Sequence, residues 1–73
     1  MSQQWYEVWA DESLATPYIL LVMPDERMAG GVIVLDPREG LKVVHAAPSY
    51  ENAKDWLLED EYTRVEGRME REE

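Results

Sequence analysis

The chain has no cysteine, one histidine, few basic side chains and no apolar run long enough to cross a bilayer, and each absence removes a class of protein. Without cysteine there is no disulfide framework, no thiolate zinc site and no cysteine nucleophile. The longest apolar run, Tyr18 to Met23, is far short of the roughly 20 residues that a spanning helix needs. Met1-Ser2-Gln3-Gln4 offers no basic region followed by an apolar stretch, so no signal peptide is expected. A soluble cytoplasmic protein is the expectation, with no membrane association.

Basic residues number seven against sixteen acidic ones, a formal charge of -9. Such a balance repels nucleic-acid phosphates and anionic lipid surfaces, so no nucleic-acid partner is expected. The acidity reads first as a solvated surface. A minor alternative is an acidic nucleic-acid mimic that occupies a basic protein.

What the chain does have is apolar surface. Tyr18-Ile19-Leu20-Leu21-Val22-Met23 and Val32-Ile33-Val34-Leu35 are apolar at every position. Strand side chains alternate between faces, so an uninterrupted run calls for cover on both sides of its sheet. Only one amphipathic helix is in evidence, and one helix covers one side.

Trp5 to Ala10 reads as a first strand, with Tyr6, Val8 and Ala10 on one face and Trp5, Glu7 and Trp9 on the other. Glu7 marks that second face as the one nearer water. Thr16-Pro17 leads into a second strand closed by Pro24-Asp25, and Gly30-Gly31 turns the chain into a third. Asp36-Pro37-Arg38-Glu39-Gly40 is a hairpin loop in which Gly40 takes a positive φ, and Leu41 to Ala47 is a fourth strand. Pro48-Ser49 announces a helix from Tyr50 to about Glu61, capped by Ser49, with Tyr50, Ala53 and Leu57 on one stripe and Trp56 and Leu58 beside it.

Tyr62-Thr63-Arg64-Val65-Glu66 alternates as a short fifth strand ended by Gly67, and the charged residues 68–73 read as a disordered tail. The expected fold is therefore a single α+β domain over residues 1–67. It has an antiparallel four-strand meander, one helix and a short fifth strand, in the order β-β-β-β-α-β. Placing the last strand beside the first keeps the sheet antiparallel; a parallel edge pair with the fourth is the alternative.

No motif names a reaction. His45 stands among aliphatic strand residues with no nucleophile or carboxylate at a catalytic spacing, so a structural histidine is expected. Glu59-Asp60-Glu61 sit at consecutive helical positions, which point about 100° apart and do not converge on one ion. No enzyme, cofactor or metal is expected.

The leading expectation is a small noncatalytic interaction module that self-associates, as a homodimer, through the sheet face left bare by the helix; a different protein partner is the variant of that reading. Trp5, Glu7 and Trp9 are the candidate contact residues. The alternative is a small apolar-ligand-binding protein, with Tyr18 and His45 as its polar groups.

Overall fold

A computed structural model describes residues 5–13 and 15–70, with side chains described as far as residue 65. The strands are β1 (Trp5–Asp11), β2 (Tyr18–Pro24), β3 (Val32–Asp36), β4 (Lys42–Ala47) and β5 (Thr63–Glu70). A single helix, α1 (Tyr50–Glu59), joins β4 to β5, and a 3-10 turn, Pro37–Glu39, lies between β3 and β4. The strands form one sheet in the order β4-β3-β2-β1-β5, with every neighbouring pair antiparallel. The expected α+β meander is thus the observed fold, and β5 does lie beside β1.

Local chemistry accounts for the turns. Asp36 caps the 3-10 turn by accepting a hydrogen bond from the Arg38 amide, and Gly40 closes it at φ 73°. Side chains other than glycine are strained in that region. Ser49 caps α1 in the same manner, accepting from the Asn52 amide at 3.2 Å while its own hydroxyl donates to Asn52 Oδ1 at 3.0 Å. The Asn52 side chain thus meets the Ser49 hydroxyl and not its backbone N–H, which a capping-box Glu or Gln would reach.

At its other end α1 stops two residues earlier than the sequence suggests, because Glu61 turns left-handed at φ 66°. The Glu61 amide then donates to Leu58 O, and the Tyr62 amide to Leu57 O, at 3.0 Å each. This is the Schellman arrangement, with glutamate where glycine is usual.

Two register shifts depart from simple alternation. On β4, Val34 pairs with His45 and Leu35 with Val43, which leaves Val44 as an extra residue. The bulge changes the phase of the strand, so His45 and Ala47 face one way and Val43 the other. On β5, Val8 pairs with Val65 but Tyr6 pairs with Met69. The irregularity absorbs Gly67, and the strand continues to Glu70 rather than ending there. Residues 68–70, expected in a disordered tail, are part of β5; residues 71–73 lie outside the described ones.

The core sits between α1 and one face of the sheet. Trp9, Leu20, Val22, Val32, Val34 and Ala47 meet Ala53 and Leu57 of the helix, and Leu57, Val22, Val34 and Ala53 are fully buried. His45 stacks flat on Trp56, 4.2 Å between ring centres, and closes the β4 edge of this core. Among the described residues no helix is long and apolar enough to cross a membrane.

Candidate interaction surface

The structure overturns one expectation at its root: Glu7 does not mark the wet face. Its side chain is 0% exposed, and Trp9 is 3% exposed beside it. Burial of a carboxylate is tolerable only when hydrogen bonds and charge replace the lost water. Among the described side chains, three do so. The Trp9 indole N–H donates to Oε1 at 3.0 Å, the Tyr50 hydroxyl reaches Oε1 at 2.8 Å and Oε2 at 3.1 Å, and Arg64 Nη1 donates to Oε2 at 3.3 Å.

Trp5 packs edge-on against Tyr50, with ring centres 6.0 Å apart, and lies at the margin of the same core. The candidate contact residues Trp5, Glu7 and Trp9 therefore belong to the helix-covered face. They are internal packing, not the bare surface.

Tyr18 and His45 also lie on the covered side. The Tyr18 hydroxyl donates to Asp36 Oδ2 at 2.5 Å, and the Arg38 guanidinium sits 4.5 Å above its ring. His45 is occupied by Trp56. Neither lines the open cleft of about 530 Å³ at the Asp25–Gly31 loop, whose walls include Trp5, Met28, Val32 and Tyr50. The two residues are not brought to a common ligand site. Asp36, nearly as buried as Glu7, is likewise held by internal partners, Tyr18 and the Arg38 amide.

Several groups carry displaced proton affinities with evident causes. Burial, then the hydrogen bond to Glu7 and its negative charge, pushes the Tyr50 hydroxyl above its usual range, opposed by Arg64. The hydrogen bond to Asp36, followed by desolvation, raises Tyr18. Tyr62 is raised by desolvation and then by Asp11, Asp60 and Asp36. Asp11 is lowered by the Ser13 hydroxyl and amide that it accepts from. The Asp11–Ser13 pair is exposed, two residues apart in one turn, and among the described residues no cluster of His, Asp and Glu is arranged to hold a metal ion.

The bare surface is the other face of the sheet, and cross-strand register defines it. Partners directly opposite share a face. Ala10 pairs with Ile19, Val8 with Leu21 and with Val65, Leu21 with Leu35, Met23 with Ile33, Leu35 with Val43 and Ile33 with Ala46. None of these side chains is polar; Thr63, which also pairs with Ala10, is the polar residue that the register places on this face. Ile19 is 39% exposed and Val43 44%, and the bulged Val44 beside them 40%. Leu35 and Ala10 are already hidden within the face.

With strands spaced about 4.8 Å and rising about 3.3 Å per residue, five strands of this length present roughly 24 Å by 20 Å. Two such faces in contact would bury roughly 1,000 Å², the lower bound for a specific interface. The sequence signal that could have identified this face was present in the first strand, where Tyr6, Val8 and Ala10 carry no charge. Comparison with protein-family models, curated proteins and solved structures finds no match.

Proposed function

We propose that this chain is a small noncatalytic interaction module that pairs with a second copy of itself through the open sheet face. The observation that carries the reading is the apolar character of that face, from Val65 on β5 to Val43 and Ala46 on β4, interrupted among the described side chains by Thr63 and the Tyr6 hydroxyl, in a chain whose charge is -9. A strongly basic partner would find no counter-charge at these positions. The cover must itself be apolar and neutral, and a second copy of the face supplies that. Two copies would pack their sheets about 10 Å apart, as sandwiches do.

Sedimentation velocity over a concentration series tests the proposal. The wild type should form a dimer that strengthens with added salt, because salt screens the repulsion between two acidic copies. Leu21→Asp places a charge at the centre of the face and should give a monomer with an unchanged helical circular-dichroism signal. A wild type that stays monomeric at high concentration and high salt would overturn the reading.

A further inference from the structure

The helix lies off-centre on the face that it covers. It packs closest to β4 and β3, and on the β5 side it leaves a groove of about 270 Å³ lined by Trp9, Tyr50, Lys54, Leu58, Thr63 and Arg64. Tyr50, Lys54 and Leu58 follow one another at helical four-residue spacing, so they form one wall. Trp9 lies beneath, and Thr63 and Arg64 of β5 form the other wall.

The charge of this groove opposes that of the chain. Two of the seven basic residues line it, and no acidic side chain does. The carboxylate of Glu7 is buried behind Trp9, Tyr50 and Arg64 and accepts hydrogen bonds from all of them. Lys54 is half-buried and makes no ion pair among the described residues. The Arg64 side chain is 45% exposed and commits Nη1 to Glu7. A guanidinium carries five N–H donors, so its fork retains donors for a second anion. Among the residues that line the groove, Lys54 and Arg64 are the charged ones, and both are positive. Leu58, 48% exposed, adds an apolar side chain beside it.

We propose that this groove binds a small organic monoanion: a carboxylate held between Lys54 and Arg64, on an aromatic or branched apolar body that rests against Tyr50 and Leu58, above the buried Trp9. A phosphate dianion fits less well, since its second charge would meet Glu7 behind Arg64 and it brings nothing to the apolar walls. The volume lies just below the range of drug-sized pockets, about 300–1,000 Å³, which sets the ligand near the size of a single substituted ring. The groove is on the opposite side of the sheet from the face proposed for self-association, so either proposal can fail without the other.

The test uses benzoate, with benzamide as its neutral counterpart and inorganic phosphate as an anion lacking an apolar body, followed by NMR on the indole N–H resonances. Benzoate should shift the Trp9 resonance saturably, with benzamide and phosphate at least about tenfold weaker. Lys54→Met keeps the aliphatic stem and should weaken benzoate by about tenfold, the scale of one charge-assisted contact. Absence of a saturable Trp9 shift at millimolar benzoate, equal binding of benzamide, or unchanged affinity in Lys54→Met would each overturn the proposal. Should Lys54→Met lower the unfolding midpoint, the benzoate and benzamide titrations of the wild type decide alone.

Discussion

The two faces of the sheet invert the usual expectation that a charged residue points to water. The covered face contains both buried carboxylates, Glu7 and Asp36, and also Trp5, Trp9, Tyr18 and the His45–Trp56 stack. The open face is mainly aliphatic, with Met23 within it and Tyr6 and Thr63 as its described residues that carry a hydroxyl. A carboxylate is stable in a core when the fold brings donors to it, and α1 and β5 bring Tyr50 and Arg64 to Glu7. Aliphatic side chains have no such requirement and take whichever face remains. Polarity on one strand therefore reports the availability of partners, not the direction of solvent.

The largest test of this contrast sets one leucine on each side against the other. Leu57 is fully buried between helix and sheet, so Leu57→Ala should cost about 2–5 kcal/mol at every protein concentration. Leu21 lies on the open face and is only half-buried in a single copy. Leu21→Ala should cost less in dilute protein and gain in effect as the concentration rises, since part of its burial would come from the second copy. Denaturant midpoints at two concentrations separate the cases. A Leu57→Ala midpoint equal to that of the wild type would mean that the helix is not docked as described.

A smaller effect is expected from the hydroxyl that serves Glu7. Tyr50→Phe removes a donor from a carboxylate with no access to water and should cost about 1–3 kcal/mol. It should also change the alkaline limb of the stability curve. The folded-state pKa of Tyr50 is raised, so the folded chain holds this proton more tightly than the unfolded one. Its contribution is complete below the unfolded value, about 10, and is lost as pH rises through the higher folded value. Tyr18 and Tyr62 are displaced in the same direction, so the wild type should lose stability above that pH, and Tyr50→Phe should lose it less steeply. A parallel slope in the variant would detach Tyr50 from the buried network.

Much of the architecture was legible because its causes are local. Alternation and uninterrupted apolar runs located the strands, Asp36 and Gly40 the β3–β4 turn, and Ser49 with the Tyr50-Ala53-Leu57 stripe the helix. The single crossing of the helix leaves β5 two places, antiparallel beside β1 or parallel beside β4, and the chain takes the first. The orientation of β1 was not legible, because two of the groups that hold Glu7, Tyr50 and Arg64, lie 43 and 57 residues away in sequence. Nothing within Trp5 to Asp11 announces them. The bulge at Val44 was equally silent: it depends on how β4 registers on β3, and it is what turns His45 toward Trp56 and Val43 toward the open side. Gly67 read as a stop because a glycine ends most strands, yet here a shifted register carries β5 past it to Glu70.

The smallest effect sharpens the account of how α1 hands the chain to the β5 edge. Glu61 occupies the left-handed position of the Schellman turn at φ 66°, with its amide and that of Tyr62 closing the last turn of the helix. An L side chain in that conformation costs roughly 1–2 kcal/mol, because Cβ approaches the following carbonyl oxygen. Glycine escapes that cost but loses more backbone entropy on folding, which offsets roughly half of the gain. The residue is exposed and no side-chain hydrogen bond or ion pair to it occurs among the described residues, so little else changes. Glu61→Gly should accordingly stabilise the fold by about 0.5–1 kcal/mol, read as a higher denaturant midpoint with an unchanged slope. Glu61→Ala keeps the strained Cβ and should bring no comparable gain. Equal midpoints for the two variants would show that the left-handed turn stores no strain, and that the helix ends at Glu59 for a reason other than backbone conformation.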